Sequence, residues 1–264
     1  NALQNARKKR AGGSAVVPTE DRKPVPARDR DARSAWDQIT PFAPDMKALK
    51  DNRVVSTEAS NLAMPYDILR TKLMLEMKKN GWTRLAITSP SPACGKTTIA
   101  LNLAFGLSRQ IEKQTLLFDL DLRRPGISKY LNHKPDYDIR ELYEGKVPFK
   151  DYAVRVNENL AIAGMRNTIP DPASLLNSDM TAEVLDEIQG AYTPDVMIFD
   201  LPPFLANDDT RSFLRNVDCA LLVAKANDTR VDQIDTCERE VALHTNVVGI
   251  VLNQSQMTKD TYGY

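Results

Sequence analysis

Short apolar runs recur along the chain, at residues 86–88, 114–118, 159–163, 196–199, 219–224 and 247–252. Each is bounded by polar, Gly or Pro positions and is too brief for a core helix, which is the pattern of strands buried on both faces. Between the runs, apolar positions return every three or four residues. That spacing predicts helices over 66–79, started after Pro65 and stopped by Asn80-Gly81, and over 97–107, 181–189 and 231–244. Shorter helical patterns fall at 127–131 and 139–143, and Asp209 opens one that reaches about residue 216, where it reads first as a cap. Strands alternating with helices imply an α/β fold, a three-layer sandwich whose mostly parallel central sheet is covered by helices on both faces.

Residues 1–58 break this pattern, being rich in charge, Pro and Ala with few large apolar side chains apart from Trp36, Ile39 and Phe42. They are expected to form a flexible charged arm. Its run Arg7-Lys8-Lys9-Arg10 suits either a solvated tail or contact with anionic lipid or an acidic partner. The folded domain is then expected over 59–256, followed by a tail, 257–264, that carries Tyr262 and Tyr264. The chain has 264 residues, room for one α/β domain and a tail. Acidic and basic residues balance at 35 each, so net charge makes no case for nucleic acid. The three cysteines are far apart, without a C-x-x-C pair, and only two histidines are present, which argues against a zinc site or a disulfide framework. No apolar run approaches the ~18–20 residues that span a bilayer, so a soluble, cytoplasmic protein is expected.

The segment joining the first strand to its helix carries the chemistry. It reads Thr88-Ser89-Pro90-Ser91-Pro92-Ala93-Cys94-Gly95-Lys96-Thr97-Thr98, a strand end, a proline-broken loop and a helix start. This is the context of a phosphate-binding loop. Backbone N–H groups from Ala93 through Cys94, Gly95, Lys96 and Thr97 to Thr98 are expected to converge on a β-phosphate at a helix N-terminus. Lys96 adds charge toward the β and γ oxygens, and the Thr97 hydroxyl is placed to ligate Mg²⁺. Pro90 stands where G-x-x-x-x-G-K-[ST] has its first glycine, so Gly-Lys-Thr considered alone also fits an ordinary helix start. Cys94 is either a small residue that fits the loop or a redox handle.

Two more strand ends bear on the same place. Asp119 and Asp121 follow the run 114–118, and alternation sends both to one side, toward the ligand crevice at the carboxyl edge of a parallel sheet. Asp200, with Leu201-Pro202-Pro203 after it, ends the run 196–199 in the manner of a carboxylate that holds Mg²⁺, often through water. Asn253 ends the last run, where an amide reads a base or simply forms a turn.

Cys94-Gly95-Lys96-Thr97-Thr98, the Asp119-x-Asp121-x-Arg123-Arg124-Pro125 strand end and the Asp200-Leu201-Pro202-Pro203 strand end together resemble the bacterial tyrosine kinase family, P-loop enzymes of capsule and exopolysaccharide assembly. The likeness covers about 64–264 and includes Pro172-Ala173-Ser174-Leu175-Leu176 and Val248-Gly249-Ile250-Val251-Leu252-Asn253. It implies an ATP-dependent protein-tyrosine autokinase that uses ATP and Mg²⁺. Asp119 would orient or deprotonate the incoming phenol, Asp121 would support the metal or phosphate site, and Thr97, Asp119 and Asp200 would surround Mg²⁺. Tyr262-Gly263-Tyr264 looks like a short form of the family's tyrosine cluster, which implies Tyr262 and Tyr264 as phosphate acceptors. Arg123 and Arg124 would contact a neighbouring subunit or pack beside the acids.

The implied partners are a transmembrane polysaccharide co-polymerase adaptor whose cytoplasmic tail activates the kinase, a cognate phosphatase and further copies of the chain, at the inner face of the plasma membrane. The sequence departs from the family's ring-contact motif Glu-x-x-Arg-x-x-Arg, whose matching positions are Met64, Asp67 and Arg70. Two other readings stay open. One is a MinD- or ParA-like ATPase, although that class carries a signature lysine where this chain has Ser91. The other is a catalytically weak nucleotide-binding regulator.

Overall fold

The computed structural model describes residues 30–110 and 113–255. Its centre is an eight-stranded sheet of β1 (Thr40–Pro41), β2 (Arg84–Thr88), β3 (Thr115–Asp119), β4 (Val154–Asn157), β5 (Leu160–Ala163), β6 (Val196–Asp200), β7 (Cys219–Lys225) and β8 (Asn246–Asn253). The strand order is β1-β4-β5-β3-β6-β2-β7-β8, parallel throughout except for the antiparallel pair β4–β5. Every residue of β2, β3, β5 and β6 is buried, which explains why these strands read as unbroken apolar runs instead of alternating ones.

The helices are α1 (Arg30–Asp37), α2 (Met46–Asp51), α3 (Met64–Asn80), α4 (Lys96–Ser108), α5 (Ile127–Leu131), α6 (Ile139–Tyr143), α7 (Phe149–Tyr152), α8 (Pro172–Leu176), α9 (Asp179–Tyr192), α10 (Asp209–Phe213), which runs on into a 3₁₀ turn, and α11 (Val231–Ala242). Strand alternation divides the core in two. Leu85, Ile87, Leu117, Ile198, Leu221 and Val223 face a layer with Leu73 and Met77 of α3 and Leu101, Leu103 and Phe105 of α4. Ala86, Leu116, Phe118, Phe199 and Leu222 face the other layer, with Tyr143 of α6, Phe149 of α7, Leu185 of α9 and Phe213 of α10. The three-layer expectation therefore holds, with the apolar content of α4 set by its position flat against the sheet.

The boundary expected at residue 58 does not fall there. Trp36 is 1 % exposed and Ile39, Leu49 and Val54 are fully buried, so the few apolar side chains of this polar segment are its anchors. β1 pairs with β4, and Asn102, buried in α4, closes the attachment: its Oδ1 accepts from the backbone N–H groups of Val55 (2.9 Å) and Ser56 (3.0 Å), and its Nδ2 donates to the Arg53 carbonyl (3.0 Å). A buried amide that satisfies three backbone groups makes an irregular segment part of the core. The basic run 7–10 lies outside the described residues, as does the tail 257–264 with Tyr262 and Tyr264.

Candidate nucleotide-phosphate site

β3, β6 and β2 are adjacent, so their carboxyl ends deliver Asp119, Asp200 and the 89–95 loop to one edge of the sheet. The register sets Asp119 directly beside Asp200. Thr88 Oγ1 donates to the Pro202 carbonyl (2.7 Å) and the Phe204 N–H donates to the Ser89 carbonyl (2.8 Å), which ties the start of the loop to the segment after β6. The loop then turns through two left-handed residues, Ala93 (φ 60°) and Gly95 (φ 89°), into α4. No side chain caps α4, so its first N–H groups remain for an anion, with the helix dipole behind them.

Thr97 Oγ1 donates to Asp200 Oδ2 at 2.6 Å, while Asp200 Oδ1 is buried without a hydrogen-bond partner among the described residues. Asp119 is arranged in the same way. Its Oδ2 accepts from the N–H groups of Gly126 (3.0 Å) and Ile127 (2.9 Å) at the start of α5, and its Oδ1 is buried and unpartnered. Both carboxyls lie away from water, and that burial raises their pKa values. Asp200 is pushed up to about 7, with Lys96 and the Thr97 hydroxyl pulling the other way. Asp119 lies well above the usual carboxylate range, first through burial and then through the charge of Asp200. Two paired acids, each with one buried oxygen unused, and a threonine hydroxyl bonded to one of them fit a hydrated divalent cation. Mg²⁺ in particular takes one or two carboxylates and completes its shell with water and phosphate oxygens. Among the described residues no closed cluster of His, Cys, Asp or Glu offers an alternative metal site.

Asp121 is the half-exposed member. Its Oδ1 accepts from the Arg124 N–H at 3.1 Å, and burial raises its pKa against the opposing charge of Lys96. The neighbouring Arg123 makes a two-pronged pair with the buried Asp209 (2.6 and 3.0 Å), joining the loop after β3 to α10. Asp209 is thus an ion-pair partner and not the cap; Asp208 occupies the cap position without a capping bond from its own side chain, and the Asp209 N–H donates to Asn207 Oδ1 at 3.1 Å. Sequence spacing carried no signal for this pair, whose members are 86 residues apart.

The far side of the loop is held by the ends of β7 and β8. Asn253 Nδ2 donates to the Cys94 carbonyl at 2.8 Å and Gln254 Nε2 to the Ala93 carbonyl at 3.4 Å. Cys94 is buried, with Sγ 3.2 Å from the Ser91 carbonyl and 3.6 Å from Thr229 Oγ1. Beyond Thr97, Tyr130 of α5 brings its hydroxyl to 3.3 Å from Thr98 Oγ1. Of the expected site residues, Ala93 through Thr98, Asp119, Asp121, Asp200 and Asn253 meet at one sheet edge. Gln254, Thr229, Asp209 and Tyr130 join them without having been anticipated. Arg70, the retained position of the ring-contact motif, is engaged within the chain, its Nη1 donating to the Gly106 carbonyl (2.7 Å) and to Asp67 (2.9 Å).

Residues 85–260 match the CobQ/CobB/MinD/ParA nucleotide-binding domain. The chain is 28 % identical over 220 residues to the tyrosine-protein kinase YwqD of Bacillus subtilis, covering 82 % of this chain and 92 % of that protein. It is 32 % identical over 194 residues to a Klebsiella pneumoniae protein provisionally named as a tyrosine-protein kinase in the cps region; the match covers 70 % of this chain but spans only 26 % of that relative. Among solved structures, the kinase domain of the Escherichia coli tyrosine kinase ETK superposes with a TM-score of 0.69 at 25 % identity, covering 78 % of this chain and 81 % of that one.

Proposed function

Because the chain belongs to the CobQ/CobB/MinD/ParA nucleotide-binding family, we propose that it is an ATP-dependent protein-tyrosine kinase of capsule or exopolysaccharide assembly that phosphorylates Tyr262 and Tyr264 of its own tail. One observation carries the reading: Asp119 and Asp200 stand side by side on the strands next to the phosphate loop, each with a buried oxygen free, while Thr97 bonds to Asp200. The kinase names of the relatives select phosphoryl transfer to tyrosine from among the reactions such a site supports.

The loop N–H groups and Lys96 bind the nucleotide's phosphates, and Asn253 stands at the edge of the same pocket. Thr97, Asp119 and Asp200 would hold Mg²⁺, whose charge would offset that developing on the transferred group. A phenol has a pKa near 10 and needs a proton acceptor at neutral pH. Asp119 is fully buried with Oδ2 committed to Gly126 and Ile127, so its part is to fix the loop after β3 and the cation. Asp121 is only partly buried, enough to raise its proton affinity while leaving it accessible, so it is the carboxyl that an incoming tyrosine reaches. Among the described residues no helix is long and apolar enough to cross a membrane. The partners in this reading are a transmembrane adaptor that brings the kinase to the membrane, a phosphatase that resets the tail and further copies of the chain as phosphate acceptors. Residues 30–58 belong with the folded domain, and residues 257–264 would serve as the substrate tail.

The test mixes two variants. A Lys96→Met chain that keeps its tail is incubated with Mg²⁺-ATP and an active chain carrying Tyr262→Phe and Tyr264→Phe. Phosphotyrosine on the Lys96→Met chain is the expected result, and it establishes transfer between chains. ATP hydrolysis by wild type with no tyrosine labelling, with or without an adaptor tail, would give the site to an ATPase or a regulator instead.

A further inference from the structure

The ends of β7 and β8 do more than border the phosphate loop. Besides the Ser89 carbonyl, which accepts from the Phe204 backbone, the carbonyls of Ala93 and Cys94 are engaged from outside the loop, and the partners of these two are side-chain amides of consecutive residues, Gln254 and Asn253. Only the NH₂ end of an amide can bond a carbonyl, so the orientation of both side chains follows from the chemistry. In a trans peptide the C=O and N–H point in opposite directions. Turning the Ala93 and Cys94 carbonyls toward β8 therefore turns the Cys94 and Gly95 N–H groups away from it.

We propose that Asn253 and Gln254 are positioning residues that hold the phosphate loop open, fixing two peptide planes so that the Cys94 and Gly95 N–H groups face the nucleotide's phosphates. This deepens the kinase reading and rests on it. Three features of the loop make the clamp necessary. Pro90 replaces the glycine that usually opens such a loop. Ala93 sits at φ 60°, a left-handed conformation that a residue with a Cβ adopts only when its surroundings impose it. Gly95 lies so close to Asn253 that a Cβ on it would come 2.3 Å from Asn253 Nδ2, so the amide is packed on the loop backbone and is not directed into open space. Asn253 is itself anchored: it pairs with Lys225 across β7–β8, and its carbonyl accepts from the Ala226 N–H at 2.9 Å. Thr229 completes the brace, its Oγ1 accepting from the Lys225 N–H (2.8 Å) and lying 3.6 Å from Cys94 Sγ. Asn253 thus acts on the phosphates through the loop, and its earlier reading as a base-recognising amide gives way to this one.

Inorganic tripolyphosphate, which has no base, separates the two roles. Its affinity and those of ATP and GTP are measured by calorimetry with Mg²⁺ on wild type, Asn253→Leu, Asn253→Ala and Gln254→Leu, with urea unfolding of each ligand-free protein as the check on the fold. Losing a hydrogen bond to a part-buried carbonyl corresponds to roughly a tenfold loss of affinity for Asn253→Leu and Asn253→Ala, and about threefold for the longer, exposed Gln254 contact. The expected result is an equal loss for ATP and tripolyphosphate with the ATP-to-GTP ratio unchanged. Unchanged tripolyphosphate binding in folded Asn253→Leu or Asn253→Ala overturns the proposal, and an altered ATP-to-GTP ratio alongside it returns Asn253 to base reading. Failure of wild type to bind either ligand rejects the phosphate-site reading itself, a different outcome from failure of the clamp.

Discussion

Asp200→Asn is expected to stabilise the ligand-free protein at neutral and alkaline pH while abolishing its activity. Asp200 is fully buried at the end of β6, beside Asp119, and its pKa rises from 3.8 to about 7. That rise corresponds to roughly 4 kcal/mol of preference for the protonated carboxyl in the folded state. The folded protein therefore binds more protons than the unfolded chain between those two values. Stability falls as pH rises through the window from about 4 to about 7 and is lowest above it, the reverse of an ordinary ion-paired carboxylate. Asparagine keeps the shape, and its side-chain oxygen still accepts from Thr97, so the variant escapes a penalty of about 2–4 kcal/mol near pH 8 that shrinks to roughly 1–2 kcal/mol near pH 5. His133 opposes this trend, because burial lowers its pKa and the unfolded chain protonates first as pH falls. The quantity to follow is therefore the difference between variant and wild type, in which His133 cancels. Urea unfolding in EDTA at several pH values between about 5 and 8.5 gives that difference. A difference that stays constant with pH, or a variant less stable than wild type at pH 8, refutes the argument. Adding Mg²⁺ and nucleotide to wild type should recover the lost stability, since a bound cation favours the ionised pair.

Trp36→Ala should cost about 3–5 kcal/mol and lower Tm by roughly 6–15 °C in a thermal melt, because Trp36 is in the core; a neutral outcome would return residues 30–58 to the status of an arm. Gly95→Ala should weaken nucleotide binding by more than tenfold in calorimetry, since the residue sits at φ 89° with Asn253 2.3 Å from the new Cβ, and wild-type affinity would show that the loop can shift. Asp121→Asn should lower the single-turnover rate of tyrosine labelling with little change in ADP affinity, whereas Asp119→Asn should weaken the Mg²⁺-nucleotide complex as well; equal effects on both quantities would remove the distinction between base and support.

Local pattern alone determined most of the fold. The central strands are buried on both faces, so each had to be a continuous apolar run, and each was legible with boundaries within a residue or two. α5 and α6 were also placed correctly, their turns being closed by local contacts such as the capping box of Asp138 and Glu141. The phosphate loop, Asp119 and Asp200 were legible because they sit where short-range order ends, at the carboxyl ends of such strands. Tertiary structure decided what depends on contacts distant in sequence. Strands β1 and β4 at the sheet edge are too short and too polar to announce themselves, and the segment around Trp36 looked like an arm because its anchors are few and Asn102 supplies the rest of its attachment from α4. The same holds for the function of side chains. The sequence marks Asn253 as the end of a strand and Asp209 as the start of a helix; only the packed sheet sets Asn253 against the loop 159 residues away and gives Arg123 to Asp209, because a hydrogen bond's partner is chosen by three-dimensional proximity and not by chain order.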